Sequence, residues 1–176
     1  AELGWLGLAV PEQYGGSGLG ALELGLLLEE MGAFVFPGPF FATACLGVST
    51  VLLAGDDAQK AALLPAVAAG DRRLTLAVAE VSGSWEAQEV AVEAQRRRNG
   101  VVLSGIKLFV PDARTADVIF VATKRDDGIE LWSVPKDAEG VRIEPMTTVD
   151  ATRKLDVVVL DGVALAADSG VTSRPS

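Results

Sequence analysis

Asn99-Gly100 punctuates this chain more sharply than any other dipeptide in it. Both residues accept the positive φ angles of a two-residue hairpin turn, whose twist matches that of the strands it joins. Val90–Gln95 alternates apolar and polar side chains before the turn, which is the period of a strand. Beyond it, Gly100–Thr123, GVVLSGIKLFVPDARTADVIFVAT, reads as a strand, a tight turn at Gly105-Ile106-Lys107 and a second strand. An irregular exit at Pro111-Asp112-Ala113 and a third strand follow, and Phe109 stands just before the chain is forced out of its ladder. Leu74, Leu76 and Val78 alternate in the same way upstream. Val118–Ala122, Ile129–Val134, Val141–Pro145 and Leu155–Leu160 continue the pattern, with Asp126-Asp127-Gly128 as a further turn. Short strands at regular spacing predict an antiparallel β-barrel or sandwich over residues 71–168.

Residues 1–70 are different. Ala1–Val10 is an apolar lead-in ended by Pro11, and Tyr14-Gly15-Gly16-Ser17-Gly18 is a loop. From Leu22 the spacing is helical, with Leu24, Leu27, Leu28, Met31 and Val35 on one side and Glu23, Glu29 and Glu30 on the other. A second helix is expected over Phe40–Leu53, stopped by Gly55. Asp56 and Asp57 sit where a cap belongs, before a short helix that Pro65 breaks or restarts. The fold class is therefore α+β: a short helical domain over 1–70, a β domain over 71–168 and a polar tail over 169–176.

Composition excludes several functions. A hydrophobic content of 49% against 22% charged residues is enough to bury a core. A net charge of −9 argues against a nucleic-acid partner, whose phosphates need a basic face. Arg96-Arg97-Arg98 does not reverse that, because it adjoins the hairpin turn and reads as a solvated tip rather than an anion site. The chain has no histidine, which removes Ser-His-Asp and Cys-His chemistry and argues against an ordinary zinc site; no metal ligand is assigned. Cys45, the single cysteine, reads as a small core residue in a reduced, cytoplasmic setting. No basic signal-peptide start is present, and no apolar run is long enough to span a membrane. Gly15-Gly16-Ser17-Gly18 lacks the Lys-Ser/Thr that a phosphate loop requires.

Leu74–Trp85, LTLAVAEVSGSW, taken with Gly100–Thr123, resembles the flavin-facing part of the acyl-CoA dehydrogenase middle domain. GDDAQKAALLPAVAAGD (55–71) resembles the family's approach to that domain, and VPEQYGGSG (10–18) and LLLEEMG (26–32) resemble two further signatures. The likeness covers nearly the whole chain. It implies an N-terminal helical domain, a β middle domain and a C-terminal four-helix bundle that would begin beyond residues 169–176. It also implies an FAD-dependent oxidoreductase that removes the α- and β-hydrogens of an acyl-CoA thioester and passes electrons to an electron-transfer flavoprotein or similar acceptor. The fatty-acid or steroid side-chain classes of substrate both fit. Since the family's FAD reaches across a subunit boundary, a homo- or hetero-oligomer is implied. The family's glutamate base belongs to the bundle, so no catalytic residue is assigned here.

Residue by residue, the resemblance places the flavin's pyrimidine edge against Leu76-Ala77-Val78-Ala79-Glu80, with Leu76, Val78 and Ala79 as contacts. The family's Gly-Ser-Asp falls, one residue early, on Gly83-Ser84-Trp85, which puts Ser84 near the pyrophosphate or the CoA. The ring-packing aromatic falls on Phe109 and the hydroxyl residue near flavin N5 on Pro111. Tyr14 would line the acyl pocket or else lie on the surface. On the bland reading Phe109 and Trp85 are barrel core, Ser84 is part of a turn, and Glu80 and Arg153 are solvated. Ala79, Trp85 and Pro111 all depart from the family pattern. A lost neutral hydrogen bond costs about 0.5–1.5 kcal/mol, whereas Pro111 also removes a backbone donor and fixes φ. Two other classes of protein stay open: a non-catalytic, flavin-poor partner subunit, and a β module that binds a CoA thioester.

Overall fold

The computed structural model describes residues 3–126 and 128–171. Asp127 of the expected turn, residues 1–2 of the lead-in and residues 172–176 of the tail lie outside the described residues. Three α-helices, α1 (Ala21–Ala33), α2 (Val48–Ala54) and α3 (Asp57–Ala69), precede seven strands. The strands are β1 (Leu74–Ala77), β2 (Ala94–Arg97), β3 (Gly100–Pro111), β4 (Val118–Arg125), β5 (Gly128–Pro135), β6 (Val141–Pro145) and β7 (Leu155–Ala166).

They form no closed barrel. One sheet has the order β1-β4-β5 and the other β2-β3-β7-β6. All pairs are antiparallel except β1 with β4, which run parallel. The parallel pair is possible because the chain from β1 to β4 passes through the whole β2–β3 hairpin, a connection long enough to return it to the same end. The hairpin turn falls one residue earlier than expected, at Arg98-Asn99; Gly100, at φ 156°, already belongs to β3 and pairs with Arg97. The strand before it is Ala94–Arg97, displaced from the expected Val90–Gln95.

The strand β4 explains the layering. It is buried on both faces from Val118 to Thr123. Ile119 and Val121 join Leu103, Trp132, Val158 and Val163 in a core shared by the two sheets. Val118 and Phe120 face the other way, into a core with Val48, Val51, Leu64, Val67 and Leu74. The result is helices on a three-stranded sheet on a four-stranded sheet, sandwich-like. A strand covered on both faces needs a continuous apolar run, and VIFVA supplies it.

The helical side docks through small groups. The expected second helix is a π-helical stretch over Phe41–Gly47 that passes into α2. There the Thr43 hydroxyl donates to the Leu74 carbonyl at 3.2 Å and accepts from the Leu74 N–H at 3.3 Å. A Cβ on Gly47 would stand 2.2 Å from the Leu74 Cβ, so only glycine allows this approach. Asp56 and Gln59 cap α3 reciprocally, each side chain accepting from the other's N–H. Pro65 lies inside α3 and does not end it. The neighbouring Leu63, Leu64 and Val67 are all buried, which outweighs the roughly 3 kcal/mol cost of an interior proline. At the other end of the chain, Val171 is buried and its N–H donates to the Leu131 carbonyl, so the expected polar tail is held to β5 at least that far.

Candidate functional site

The strand β3 begins regularly, with Val101 and Leu103 buried and their neighbours half-open. No turn interrupts it at Gly105-Ile106-Lys107; Gly105, at φ 155°, lies in extended backbone against Val92. Period two carries the inward face to Lys107, which is fully buried. There the ladder slips. Lys107 faces Val158 and Val110 faces Asp156, so three steps on β3 match two on β7. This is a β-bulge, and it re-aims the residue inside it.

That residue is Phe109. Its backbone is left-handed, at φ 56°, a conformation that costs a non-glycine residue roughly 1–2 kcal/mol. Without the bulge Phe109 would share the buried parity of Lys107. With it, the ring is 36% exposed and Val110 takes the core position. Gly83 is its neighbour: a Cβ built on Gly83, itself at φ 73°, would lie 3.9 Å from the Phe109 ring.

Opposite the bulge, the chain leaves β1 through Val78-Ala79-Glu80. The Leu108 N–H donates to the Ala79 carbonyl at 2.8 Å. The Lys107 ammonium donates to the Val78 carbonyl at 3.1 Å and to Glu80 Oε1 at 2.6 Å. The Glu80 carboxylate accepts in addition from the N–H groups of Ala91 and Val92. Burial pushes the Glu80 carboxyl up, but its bonds to Lys107, Val92 and Ala91 outweigh that and hold it below the ordinary glutamate value. Burial lowers Lys107, and the Glu80 carboxylate only partly offsets it.

Val78–Glu80, Gly83 and Phe109 thus form one wall. The side chains of Val78 and Ala79 are buried, and Val78 packs on Val90 and Ala122. Ala79 is buried as a whole residue, so the backbone this edge offers outward is that of half-buried Glu80. The N–H groups of both donate to no protein acceptor among the described residues. Ser84 accepts the Glu86 N–H at 3.1 Å, which leaves its own proton for an outside acceptor. Unpaired donors beside an outward aromatic ring suit a flat, acceptor-edged ligand.

Other expected site residues go elsewhere. Leu76 packs into the sheet cores and Tyr14 against the helical core. Pro111 ends β3, and its carbonyl accepts the Thr75 hydroxyl at 2.6 Å. Trp85 is half exposed, not core. Arg96 is more than a solvated tip: it grips both Glu130 oxygens at 2.9 and 2.6 Å and lies over the Trp132 ring. Arg153 is exposed. Lys107 and its pairing with Glu80 escaped the sequence reading. A lysine at an inward position of an alternating strand, in step with Val101 and Leu103, was the available signal.

The family model of the acyl-CoA dehydrogenase N-terminal domain matches residues 1–71, and that of the acyl-CoA dehydrogenase middle domain matches residues 75–163. The chain belongs to the acyl-CoA dehydrogenase family. Acyl-CoA dehydrogenase FadE12 of Mycobacterium tuberculosis is 30% identical over 178 residues, covering 96% of this chain and 45% of that protein. A glutaryl-CoA dehydrogenase from Mycobacterium smegmatis, solved in complex with FADH2, has a TM-score of 0.86 at 26% identity, over 99% of this chain and 46% of its own. The ChsE4-ChsE5 complex from Mycobacterium tuberculosis gives 0.85 at 25% identity, over 98% and 46%. The chain therefore spans less than half the length of these acyl-CoA dehydrogenases. The α+β class and sandwich-like sheets are those of this family's solved members.

Proposed function

We propose that this chain carries the flavin-binding wall of an FAD-dependent acyl-CoA dehydrogenase acting on an acyl-CoA thioester, in a homo- or hetero-oligomer. The observation that carries the reading is the bulge. It turns Phe109 outward at an energetic cost, next to Gly83 and to the unpaired N–H groups of Ala79 and Glu80. FAD bound there would accept a hydride from the substrate β-carbon.

The residues of the chain would do the rest. Phe109 would pack on the ring system, and the Glu80 N–H would donate to its polar edge. The Ser84 hydroxyl would donate to a phosphate oxygen of the cofactor or of the CoA. Ring and aromatic side chain in contact would keep water from the reacting carbons. Glu80 is tied to Lys107 and two backbone N–H groups, so it is not the base for the α-proton; that base comes from outside this wall.

A second reading has a specific observation behind it. Pro111 stands where the family places a hydroxyl near flavin N5; it has no N–H, and its carbonyl is held by Thr75. A flavin-poor subunit that supports an active sibling fits this, and one structural neighbour, ChsE4-ChsE5, is a complex of two unlike chains. An absorbance spectrum of the full-length protein, purified alone and again with its genomic neighbour, decides between them. Flavin in the protein alone supports the first reading. Flavin only in the joint preparation, bound at the sibling, supports the second. We place the helical domain at 1–70 and the β domain at 71–168, with electrons leaving to an electron-transfer flavoprotein or similar acceptor.

A further inference from the structure

We propose that Lys107 is the positioning residue of the flavin wall, a role nothing in the sequence pattern assigns to it; the proposal rests on the flavin reading above. Lys107 is fully buried, yet it lies two residues from the most exposed aromatic of the wall. Among the described residues its ammonium is the one group that touches both the carbonyl of Val78 and the carboxylate of Glu80. Glu80 in turn holds the Ala91–Val92 segment, and the Val92 carbonyl accepts from Lys124 of β4 at 2.7 Å. One cation therefore fixes the spacing between the chain leaving β1, the segment entering β2, and the bulge on β3. Leu108, bonded to Ala79, is the single backbone rung between the bulge and the chain leaving β1 among the described residues. Without Lys107 that rung would have to set the angle of Phe109 alone.

A buried ion pair is a poor source of net stability but a good source of register, since few alternative arrangements satisfy both charges. The geometry assigns that use here. With the Lys107 contacts in place, the N–H of Glu80 and the ring of Phe109 are set for one ligand plane. A methionine in place of Lys107 fills the volume and loses the directionality.

The test uses the full-length protein and FAD titration followed by flavin fluorescence, with thermal unfolding of the same apo preparations. The variants are Lys107→Met, the charge-free pair Lys107→Met/Glu80→Gln, and Phe109→Ala. The pair leaves no unpaired charge, so it is expected to regain most of the thermal stability that Lys107→Met loses. It is not expected to regain FAD affinity, which should stay roughly tenfold or more below the wild type, a hydrogen bond's worth. Affinity that recovers together with stability in the double variant makes Lys107 a merely structural residue and overturns the proposal. Phe109→Ala separates the two levels of the claim. If it weakens FAD while the Lys107 variants bind normally, the flavin reading stands and the positioning role falls. If FAD binding is unchanged in all three, the wall is not the flavin site and both fall.

Discussion

The two halves of β3 obey different rules. From Gly100 to Leu103 the strand pairs with β2 and β7 in register, and its inward side chains, Val101 and Leu103, join a core of aliphatic residues around Trp132. From Lys107 to Pro111 the ladder slips, a lysine is buried, a phenylalanine is left-handed and a proline closes the strand. The first half minimises free energy by the ordinary means of alternation and burial. The second half departs from them four times in five residues, and the slip, the buried lysine and the left-handed phenylalanine set the direction of groups at the wall. Irregularity of this kind is expected at functional sites, and regularity in the elements that support them.

Substitutions can break this contrast, and Lys107→Met alone should have the largest effect. It leaves the Glu80 carboxylate in a nearly closed site without its cation, which costs about 3–5 kcal/mol in denaturant unfolding and weakens FAD binding as well. Leu103→Ala probes the other half. Truncation of a fully buried leucine costs about 2–5 kcal/mol by cavity formation, yet FAD affinity measured below the unfolding transition should not change. A loss of affinity there would erase the distinction between the halves.

Backbone strain gives a sharper comparison. Glycine normally destabilises a strand relative to alanine, but at φ 56° the order should invert, with Phe109→Gly more stable than Phe109→Ala by roughly 1 kcal/mol. Both should weaken FAD. At Val102, on the regular half, the Gly and Ala variants should keep the usual order.

The acid limb of stability offers a fourth check. Glu80 has a folded-state pKa below its unfolded value, so the stability it contributes is present above the unfolded value near 4.5 and is lost as pH falls through the lower folded value. Glu80→Gln should therefore flatten the decline of thermal stability over that acid window. Asp112, three residues past Phe109 and also left-handed at φ 52°, is the smallest effect and has the opposite sign. Burial and the Asp156 carboxylate raise it, against Arg153, Lys154 and Arg114. Its charged form is the disfavoured one, so Asp112→Asn should stabilise the protein at neutral pH, with the gain vanishing as pH falls below the raised value. Aspartate and asparagine both tolerate this backbone, unlike phenylalanine, so no strain is released.

Much of this was legible in residue order. Asn99-Gly100 located the β2–β3 turn to within one residue, the even spacing of apolar runs located most strands, and β6 matches its expected Val141–Pro145. Gly83 and Phe109 were both named as one site, and the fold brings them side by side. Residue order makes Glu80 look like a solvated strand end and Lys107 like part of a turn. Both errors share a cause. A charged residue in a single sequence looks solvated until its partner is in view, and here the partners are 27 residues apart. Of the barrel and the sandwich that residue order leaves open, the fold takes the sandwich, because the local pattern of a strand does not say whether its last edge meets its first.

Sequence alone determined which segments are helix or strand, since alternation and turn chemistry act over a few neighbouring residues and need no distant contact. It also fixed the family, through side chains in a given order. Only the tertiary structure decided the direction in which Phe109 points. That depends on one extra residue in β3 against β7 and on a cation held between two distant segments, and both are properties of pairing between strands, not of any strand by itself.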